Sequence, residues 1–133
     1  MDECIFCKIV EKQAPAYIVY EDIDYLAFLD KNPQSRGHIQ LIPKKHYQWV
    51  YDMPDIGQFS VVAKQIIHAI IPVLGADHVT LATFGRQVYH AHLWIVPQYQ
   101  NVQIVSEGYS RRTKKEELDE VATLLKAVLM RTP

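Results

Sequence analysis

The residues from Ala16 to Asp30 most constrain the fold, because they read as two strands separated by a tight turn. The stretches AYIVYED and DYLAFLD are rich in the aromatic and β-branched residues that favour strands. Two strands linked so closely must pair antiparallel, since a parallel pair needs a crossover of about a dozen residues or more. This hairpin therefore predicts an antiparallel sheet.

Three further segments have the composition of strands, and two longer segments have helical periodicity. The strands are predicted at His38–Pro43, His78–Phe84 and Ala91–Pro97. A central helix is predicted to begin with Pro54, which suits the first helical position, and to stop at Pro72 and Gly75. Its apolar stripe is Ile56, Phe59, Ala63, Ile66, Ile67 and Ile70.

A terminal helix is predicted after Thr113 and Glu116, whose spacing is that of a capping box. One face of this helix is apolar and consists of Leu118, Val121, Ala122, Leu125, Val128 and Leu129. The short links between the strands favour antiparallel pairing throughout. The sequence therefore predicts an α+β fold with about five strands, one central helix and one C-terminal helix, in a single domain.

Composition and charge exclude several classes of function. The chain has 133 residues, of which 49% are hydrophobic and 22% charged, and its net charge is −1. It lacks the broad basic surface typical of nucleic-acid binding, and we expect Arg111–Arg112 with Lys114–Lys115 to be solvated. No apolar run reaches membrane-spanning length, and the acidic start Met1-Asp2-Glu3 is unlike a signal peptide. We therefore expect a cytoplasmic protein that binds neither nucleic acid nor membrane.

The segment VYHAHLWIV places two histidines in an apolar strand. Side chains alternate across a strand, so His90, His92 and Trp94 point one way and the apolar residues between them face the core. Three interpretations stay open from these residues alone. The histidines could be ordinary surface or interface residues, half of a zinc site, or a nucleophile or general base.

Cys4 and Cys7 form a C-x-x-C pair, which in a cytosolic protein is more often a metal half-site or a redox pair than a structural disulfide. No thioredoxin-like pattern surrounds the pair, which favours metal. Tetrahedral zinc needs four ligands, so two histidines would complete the site. Spacing alone does not choose them, although we expect His68 and His78 to be exposed.

Four stretches resemble the histidine triad (HIT) family: CIFCKIV, YIVYEDIDYLAFLD, GHIQLIPKKHY and VYHAHLWIVP. They occur in order from Cys4 to Pro97, so residues 1–97 form the matched core of a single domain over 1–133. Residues 98–133 add a loop and the C-terminal helix. The resemblance implies a five-stranded α+β fold, commonly as a homodimer. It also implies attack by a histidine on the α-phosphate of a nucleotide, giving a nucleotidyl-histidine that water or another acceptor resolves.

By the same resemblance, the middle histidine, His92, is the nucleophile and His90 supports its strand. In members with an N-terminal C-x-x-C, zinc is held by two cysteines and two histidines, which here match Cys4, Cys7, His46 and His90. Such zinc is structural, because the protein occupies all four positions. The resemblance therefore implies one zinc ion that takes no part in the chemistry.

The resemblance also implies a pocket for a purine nucleotide. Asp30 matches the carboxylate that accepts hydrogen bonds from the ribose, and Lys31 lies beside it. The remaining matches are Phe6, Ile9, Phe28 and Leu29 around the base, and Gly85, Arg86 and Gln87 in the turn that binds phosphate.

The chain departs from the family pattern at Trp94, which stands where a third histidine or a glutamine contacts the phosphate. An indole offers one donor, no acceptor and no titratable proton. The stretch from Thr80 to Gly85 is also short, and Gly-Arg-Gln replaces the Gly-Gln-Ser of phosphoramidate hydrolases. Arg86 could replace part of the lost contact, because a guanidinium binds phosphate through two donors.

Three functions follow from this pattern. The first is a hydrolase or transferase for purine nucleotide conjugates such as nucleoside phosphoramidates or dinucleoside polyphosphates. The second is a catalytically weak or inactive nucleotide-binding protein, which Trp94 motivates. The third is a catalytic zinc site built on His90 and His92.

Overall fold

The computed structural model describes residues 4–100 and 113–130, and its five strands form one antiparallel sheet. The strands are β1 (Ile18–Glu21), β2 (Tyr25–Leu29), β3 (Ile39–Pro43), β4 (His78–Ala82) and β5 (Leu93–Gln98). Their order across the sheet is β1-β2-β3-β5-β4, so β1 and β4 form its edges. The predicted α+β fold with a five-stranded antiparallel sheet is confirmed.

Three α-helices cover the two faces of this sheet: α1 (Ile5–Val10), α2 (Ile56–Leu74) and α3 (Lys115–Leu129). The buried faces of α2 and α3 pack on one side and form the main core. The short α1 packs on the other side, where Phe6 and Ile9 meet Leu26, Phe28 and Ile42. Because both faces are covered, β2 and β3 are buried along their whole lengths.

The predicted start of the central helix at Pro54 is wrong. Asp55 is the N-cap of α2, and its carbonyl accepts the first bond of the helix from the N–H of Phe59 at 3.0 Å. The Asp55 carboxylate accepts a 2.5 Å hydrogen bond from the hydroxyl of Tyr25 instead of capping its own helix. This hydrogen bond to β2 holds Asp55 at the start of α2, so Pro54 lies outside the helix.

The end of α2 agrees with the prediction for Gly75, which adopts a left-handed conformation with φ of 70°. Pro72 lies inside the helix, two residues before its end, where its missing N–H removes one bond without stopping the helix. By length and composition α2 could cross a bilayer, as many core helices could. Here its inner face is buried against the sheet through Phe59, Val62, Ala63, Ile66 and Ile70.

The predicted capping box at the start of α3 is also wrong. Lys114 is the N-cap, and it makes no side-chain capping bond. Thr113 instead donates from its hydroxyl to the carboxylate of Glu117 at 2.9 Å, because the helix begins one residue later than the box requires. The predicted apolar face is present, with Val121, Ala122 and Leu125 buried. The polar loop before it, with Arg111–Arg112, falls mostly outside the described residues.

The predicted strand at Ala91–Pro97 begins later, at Leu93, so His90 and His92 immediately precede β5. The backbone of residues 91 and 92 forms hydrogen bonds outside the ladder of a neighbouring strand. The N–H of Ala91 donates to the carbonyl of Tyr47 at 2.5 Å, and the hydroxyl of Thr83 donates to the carbonyl of His92 at 2.6 Å. These bonds end the ladder before it reaches the histidines.

Candidate functional site

A cleft of about 460 Å³ lies between α1 and the sheet, within the size range of small-molecule sites. Nine of the predicted site residues line it: Phe6, Ile9, Phe28, Leu29, Asp30, Lys31, Gln87, His92 and Trp94. These residues come from α1, the end of β2, the β4–β5 loop (residues 83–92) and β5. The fold therefore brings together most of the residues predicted for one nucleotide.

Two predicted residues of the phosphate turn do not line the cleft. Gly85 is buried under the indole of Trp49, and Arg86 is exposed to solvent. Several lining residues were not predicted: Ile5, Ala14, Pro15, Ala16, Asn32, Gln40 and Val88. Gln40 pairs with Trp94 across β3 and β5, a neighbourhood that only the strand register reveals.

His92 is 5% exposed and faces the cleft. Its Nδ1 lies 2.8 Å from the carbonyl oxygen of His90. A carbonyl can only accept, so Nδ1 carries a proton, and in the neutral form of the ring the lone pair is on Nε2. This tautomer is the one that a nucleophile attacking through Nε2 requires.

The apolar wall of the cleft consists of aromatic rings packed edge to face. The rings of Phe6 and Phe28 have centroids 5.2 Å apart at 75°, and Phe6 lies 5.6 Å from His92 at 87°. Edge-to-face packing is a favourable arrangement for aromatic pairs. Phe6 therefore joins the predicted base site to the imidazole and limits its rotation.

Asp30 at the end of β2 is held by two donors. The backbone N–H of Asn32 donates to Oδ1 at 2.8 Å, and the side-chain amide of Gln40 donates to Oδ2 at 2.9 Å. Since a carboxylate only accepts, Gln40 must turn its nitrogen toward Asp30. Each carboxylate oxygen has a further lone pair, so Asp30 can also accept a bond from a ligand hydroxyl.

His38 lies behind Trp94, with ring centroids 4.6 Å apart. The N–H of Gln34 donates to His38 Nδ1 at 3.1 Å, which places the proton on Nε2. Nε2 lies 3.8 Å from Oδ2 of Asp30 and has no hydrogen-bond partner among residues 4–100 and 113–130. Burial lowers the pKa of His38 to about 4, although Asp30 opposes that shift. His38 is therefore neutral at physiological pH.

A second cluster lies beside the cleft and contains the four predicted metal ligands, Cys4, Cys7, His46 and His90, with donor atoms all within 4.8 Å of one another. The Nδ1 of His90 is 3.4 Å from each sulfur and 3.2 Å from Nδ1 of His46. A tetrahedral zinc with ordinary bond lengths separates such donors by about 3.3–3.8 Å. The four residues thus fit one tetrahedral metal ion.

The protonation chemistry of this cluster also fits a metal. Burial lowers the pKa of His90 to about 4 and lowers the pKa of His46, so both rings are neutral and can ligate. His90 donates from Nε2 to the carbonyl of Pro43 at 2.8 Å, which leaves the Nδ1 lone pair directed at the cluster. Burial and a hydrogen bond with Cys4 raise the pKa of the Cys7 thiol to about 11. A bound cation would lower this pKa, because it stabilises the thiolate that ligates it.

The remaining histidines lie away from both clusters. His68 and His78 are exposed, as predicted, and His78 contacts the carboxylate of Asp77 at 2.8 Å. His92 is not one of the four grouped ligands, although it follows His90 by two residues. The two histidines of the motif therefore have separate surroundings: one faces the cysteines and the other faces the cleft.

Similar proteins share this architecture. An uncharacterized HIT-like protein of Methanocaldococcus jannaschii is 37% identical over 131 residues, which cover 92% of this chain and 98% of that protein. The adenylylsulfatase HINT3 of Arabidopsis thaliana is 33% identical over 138 residues, covering 98% of this chain and 69% of the relative.

A solved structure of a zinc-bound histidine triad family protein from Mycobacterium smegmatis superposes with a TM-score of 0.82. It is 32% identical and covers 97% of this chain and 94% of that one. The family model of the HIT domain matches residues 11–101. With this match, these relatives and the shared fold, the chain belongs to the histidine triad family.

Proposed function

We propose that the protein is a hydrolase or transferase that acts on the α-phosphate of purine nucleotide conjugates through a nucleotidyl-histidine. The observation that carries this proposal is His92, whose Nδ1–H is fixed on a carbonyl while its ring faces the cleft. Aromatic rings for a base, a carboxylate for a ribose and an amide for a phosphate line the same cleft. Membership of the HIT family supports this assignment of roles.

In the first step, the Nε2 lone pair of His92 attacks phosphorus, and the bond to the leaving group breaks with its electron pair. The imidazole becomes positively charged, and the carbonyl of His90 stabilises it through the Nδ1–H. In the second step, water attacks the same phosphorus and the P–N bond breaks. Nucleoside monophosphate and a proton are released, and the neutral ring of His92 returns.

The surrounding residues hold the nucleotide for this attack. Phe6 and Phe28 contact the base, Asp30 accepts hydrogen bonds from ribose hydroxyls, and Gln87 donates to the phosphate. Adenosine phosphoramidates and dinucleoside polyphosphates are the first candidate substrates. Adenylyl sulfate joins them, because one relative is an adenylylsulfatase.

The adduct itself provides the test. Wild-type protein is mixed with adenosine phosphoramidate, diadenosine polyphosphate or adenylyl sulfate, quenched, and weighed by intact mass spectrometry. We expect an adenylyl adduct that His92→Ala lacks and that His68→Ala, changed on the exposed side of α2, retains. Equal product formation by wild type and His92→Ala would refute the proposal.

A second candidate is a nucleotide-binding protein without significant turnover. Trp94 favours it, because the indole stands where the family pattern has a phosphate-contacting side chain. Losing one donor to a developing negative charge typically costs about 10²–10³ in rate. Tight binding of AMP with neither adduct nor product would favour this candidate.

We also propose that Cys4, Cys7, His46 and His90 hold a structural zinc ion. The donor set, the donor separations and the neutral histidines support zinc. The zinc-bound relative from Mycobacterium smegmatis supports it as well. Because four protein ligands complete a tetrahedron, the ion would connect α1 to the segment before β5 and would leave the chemistry to His92.

A further inference from the structure

The β4–β5 loop is held from outside the cleft by residues 47–49, which follow the metal ligand His46. The carbonyl of Tyr47 accepts from the N–H of Ala91 at 2.5 Å. The side chain of Gln48 donates to the carbonyl of Gly85 at 3.0 Å, and the indole of Trp49 covers the same glycine. One short segment thus contacts the loop near both of its ends.

The contact between Trp49 and Gly85 is close enough to require glycine. A Cβ added to Gly85 would lie 2.6 Å from Cε3 of Trp49 and closer still to Cζ3. These are atoms of a rigid ring that is itself stacked on Tyr51, with centroids 5.6 Å apart at 16°. Moving the indole aside would disturb this stacking, so a side chain at position 85 meets a steric conflict.

The loop held in this way forms the wall of the cleft beside His92. Gln87 and Val88 line the cleft, two and three residues after Gly85. Trp49 does not line it, so Trp49 can act on a ligand through the loop but not by direct contact. Of these two residues, Gln87 carries an amide, which is able to donate to a phosphate.

We propose that Trp49 is a positioning residue, which sets the β4–β5 loop for recognition of the ligand's phosphate. This inference rests on the proposed function. It assigns phosphate affinity to a residue outside the cleft, which acts through Gly85, a position in the loop that has no room for a side chain. The residues assigned to the base and the ribose, Phe6, Phe28 and Asp30, belong to α1 and to the end of β2 and not to this loop.

The experiment compares AMP with adenosine, which lacks the phosphate, by titration calorimetry. We expect Trp49→Ala and Gly85→Ala each to weaken AMP binding by about tenfold. This is the smallest loss of affinity expected when one hydrogen bond to a charged group is lost. Adenosine affinity should stay within about twofold of wild type. Trp49→Phe keeps a ring over Gly85 and should restore AMP binding. Gly57→Ala, at a glycine with open space around it, is the matched control.

The double variant Trp49→Ala/Gly85→Ala tests whether the two substitutions weaken AMP binding through their mutual contact or independently of each other. Once the indole is gone, a methyl group at position 85 has room, so the double variant should bind AMP like Trp49→Ala alone. Additive losses, an unchanged AMP affinity in Trp49→Ala, or equal losses for AMP and adenosine would overturn the inference. Wild-type protein that binds neither ligand would overturn the proposed function together with it.

Discussion

At the scale of single residues, Trp94 most alters the chemistry expected of the cleft. Its ring lies 4.6 Å from His38 and 4.7 Å from Phe84, and it is buried. It therefore fills space that a smaller imidazole or amide would leave open. The same position cannot supply the second nitrogen or the acceptor that those side chains would offer to a phosphate.

We expect Trp94→His to increase turnover of a phosphoramidate by about 10²–10³, because an imidazole, unlike an indole, can be protonated and can then stabilise with a charged N–H donor the charge that develops on phosphate oxygen. The smaller ring should also lower the melting temperature by leaving a cavity. Trp94→Phe, which carries no donor and no titratable proton, is the control and should show no increase over the wild-type rate. Equal rates for the two variants, measured by single-turnover kinetics, would show that the missing donor does not limit the reaction.

His38 makes stability depend on pH. Its folded-state pKa of about 4 lies below the unfolded value of about 6.5. The unfolded chain therefore binds this proton first as the pH falls. The stability contributed by neutral His38 is fully present above about pH 6.5 and is lost as the pH falls toward about 4, at about 1.4 kcal/mol per pH unit.

We expect His38→Gln to reduce the slope of unfolding free energy against pH between about pH 6.5 and about pH 4.5, because glutamine does not titrate. Urea unfolding at several pH values measures this slope. His68→Gln, on the exposed side of α2, should leave the wild-type slope unchanged. A wild-type slope in His38→Gln would contradict the assignment.

Parts of the site could be predicted from the sequence, namely those whose residue types have few possible roles in a protein. The C-x-x-C pair indicates metal, and the resemblance supplies its histidine partners His46 and His90. The neighbours Arg86 and Gln87 could not be distinguished, because which of them lines the cleft depends on the tertiary surroundings of the loop. The contact between Gly85 and Trp49 joins residues far apart in the chain, and no local pattern encodes it.

At the scale of secondary structure, α1 links the two clusters. Cys4 at its N-cap and Cys7 within it lie against His46 and His90, while Phe6 and Ile9 face the cleft and the sheet. A helix of six residues has little stability of its own. We therefore infer that its position depends on packing and on the proposed zinc.

We expect Cys4→Ser to abolish stoichiometric zinc and to lower the free energy of unfolding. Zinc present at 100 to 1,000 times its dissociation constant stabilises a fold by about 2.7–4.1 kcal/mol. Serine can still accept the N-cap bond that Cys4 accepts from the N–H of Cys7, so mainly the ligand is lost. AMP affinity should fall too, because α1 carries Phe6.

The control for this prediction is Lys8→Ser, an exposed change in the same helix. It should keep the zinc content and the stability of wild type. Plasma mass spectrometry measures the metal, and urea unfolding measures the stability. Wild-type protein that contains no zinc, and that added zinc does not stabilise, would reject the metal site.

Most element types were predictable from sequence, whereas several boundaries were not. Periodicity identified α2 and α3, and a composition rich in aromatic and β-branched residues identified the strands. The start of α2 depends on the bond from Tyr25 to Asp55, and the start of β5 depends on Thr83 and Tyr47. These partners are distant in sequence, so the boundaries they set could not be predicted from local propensity.

At the scale of the whole molecule, the two edges of the sheet differ. The α3 helix packs against β1, whereas β4 has an outer edge and an exposed Leu81. An edge strand presents unpaired N–H and C=O groups that can pair with another chain. A twofold axis would pair β4 with its own copy and bury both Leu81 side chains.

We therefore propose a homodimer, and we expect sedimentation equilibrium to give the mass of two chains. Leu81→Lys should shift the equilibrium toward monomer, because it places like charges at the pairing edge. Leu124→Lys, an exposed apolar position on α3, is the matched control and should leave the mass unchanged. A monomeric wild type at micromolar concentration would contradict the proposal.

The placement of the indoles has a practical consequence. The chain has two tryptophans, and Trp94 is the one that lines the cleft. A nucleotide that enters the cleft beside Trp94 would displace water from the ring and change its fluorescence. In a Trp49→Phe background the remaining emission would come from the cleft alone, so occupancy could be followed optically, in real time and without a label.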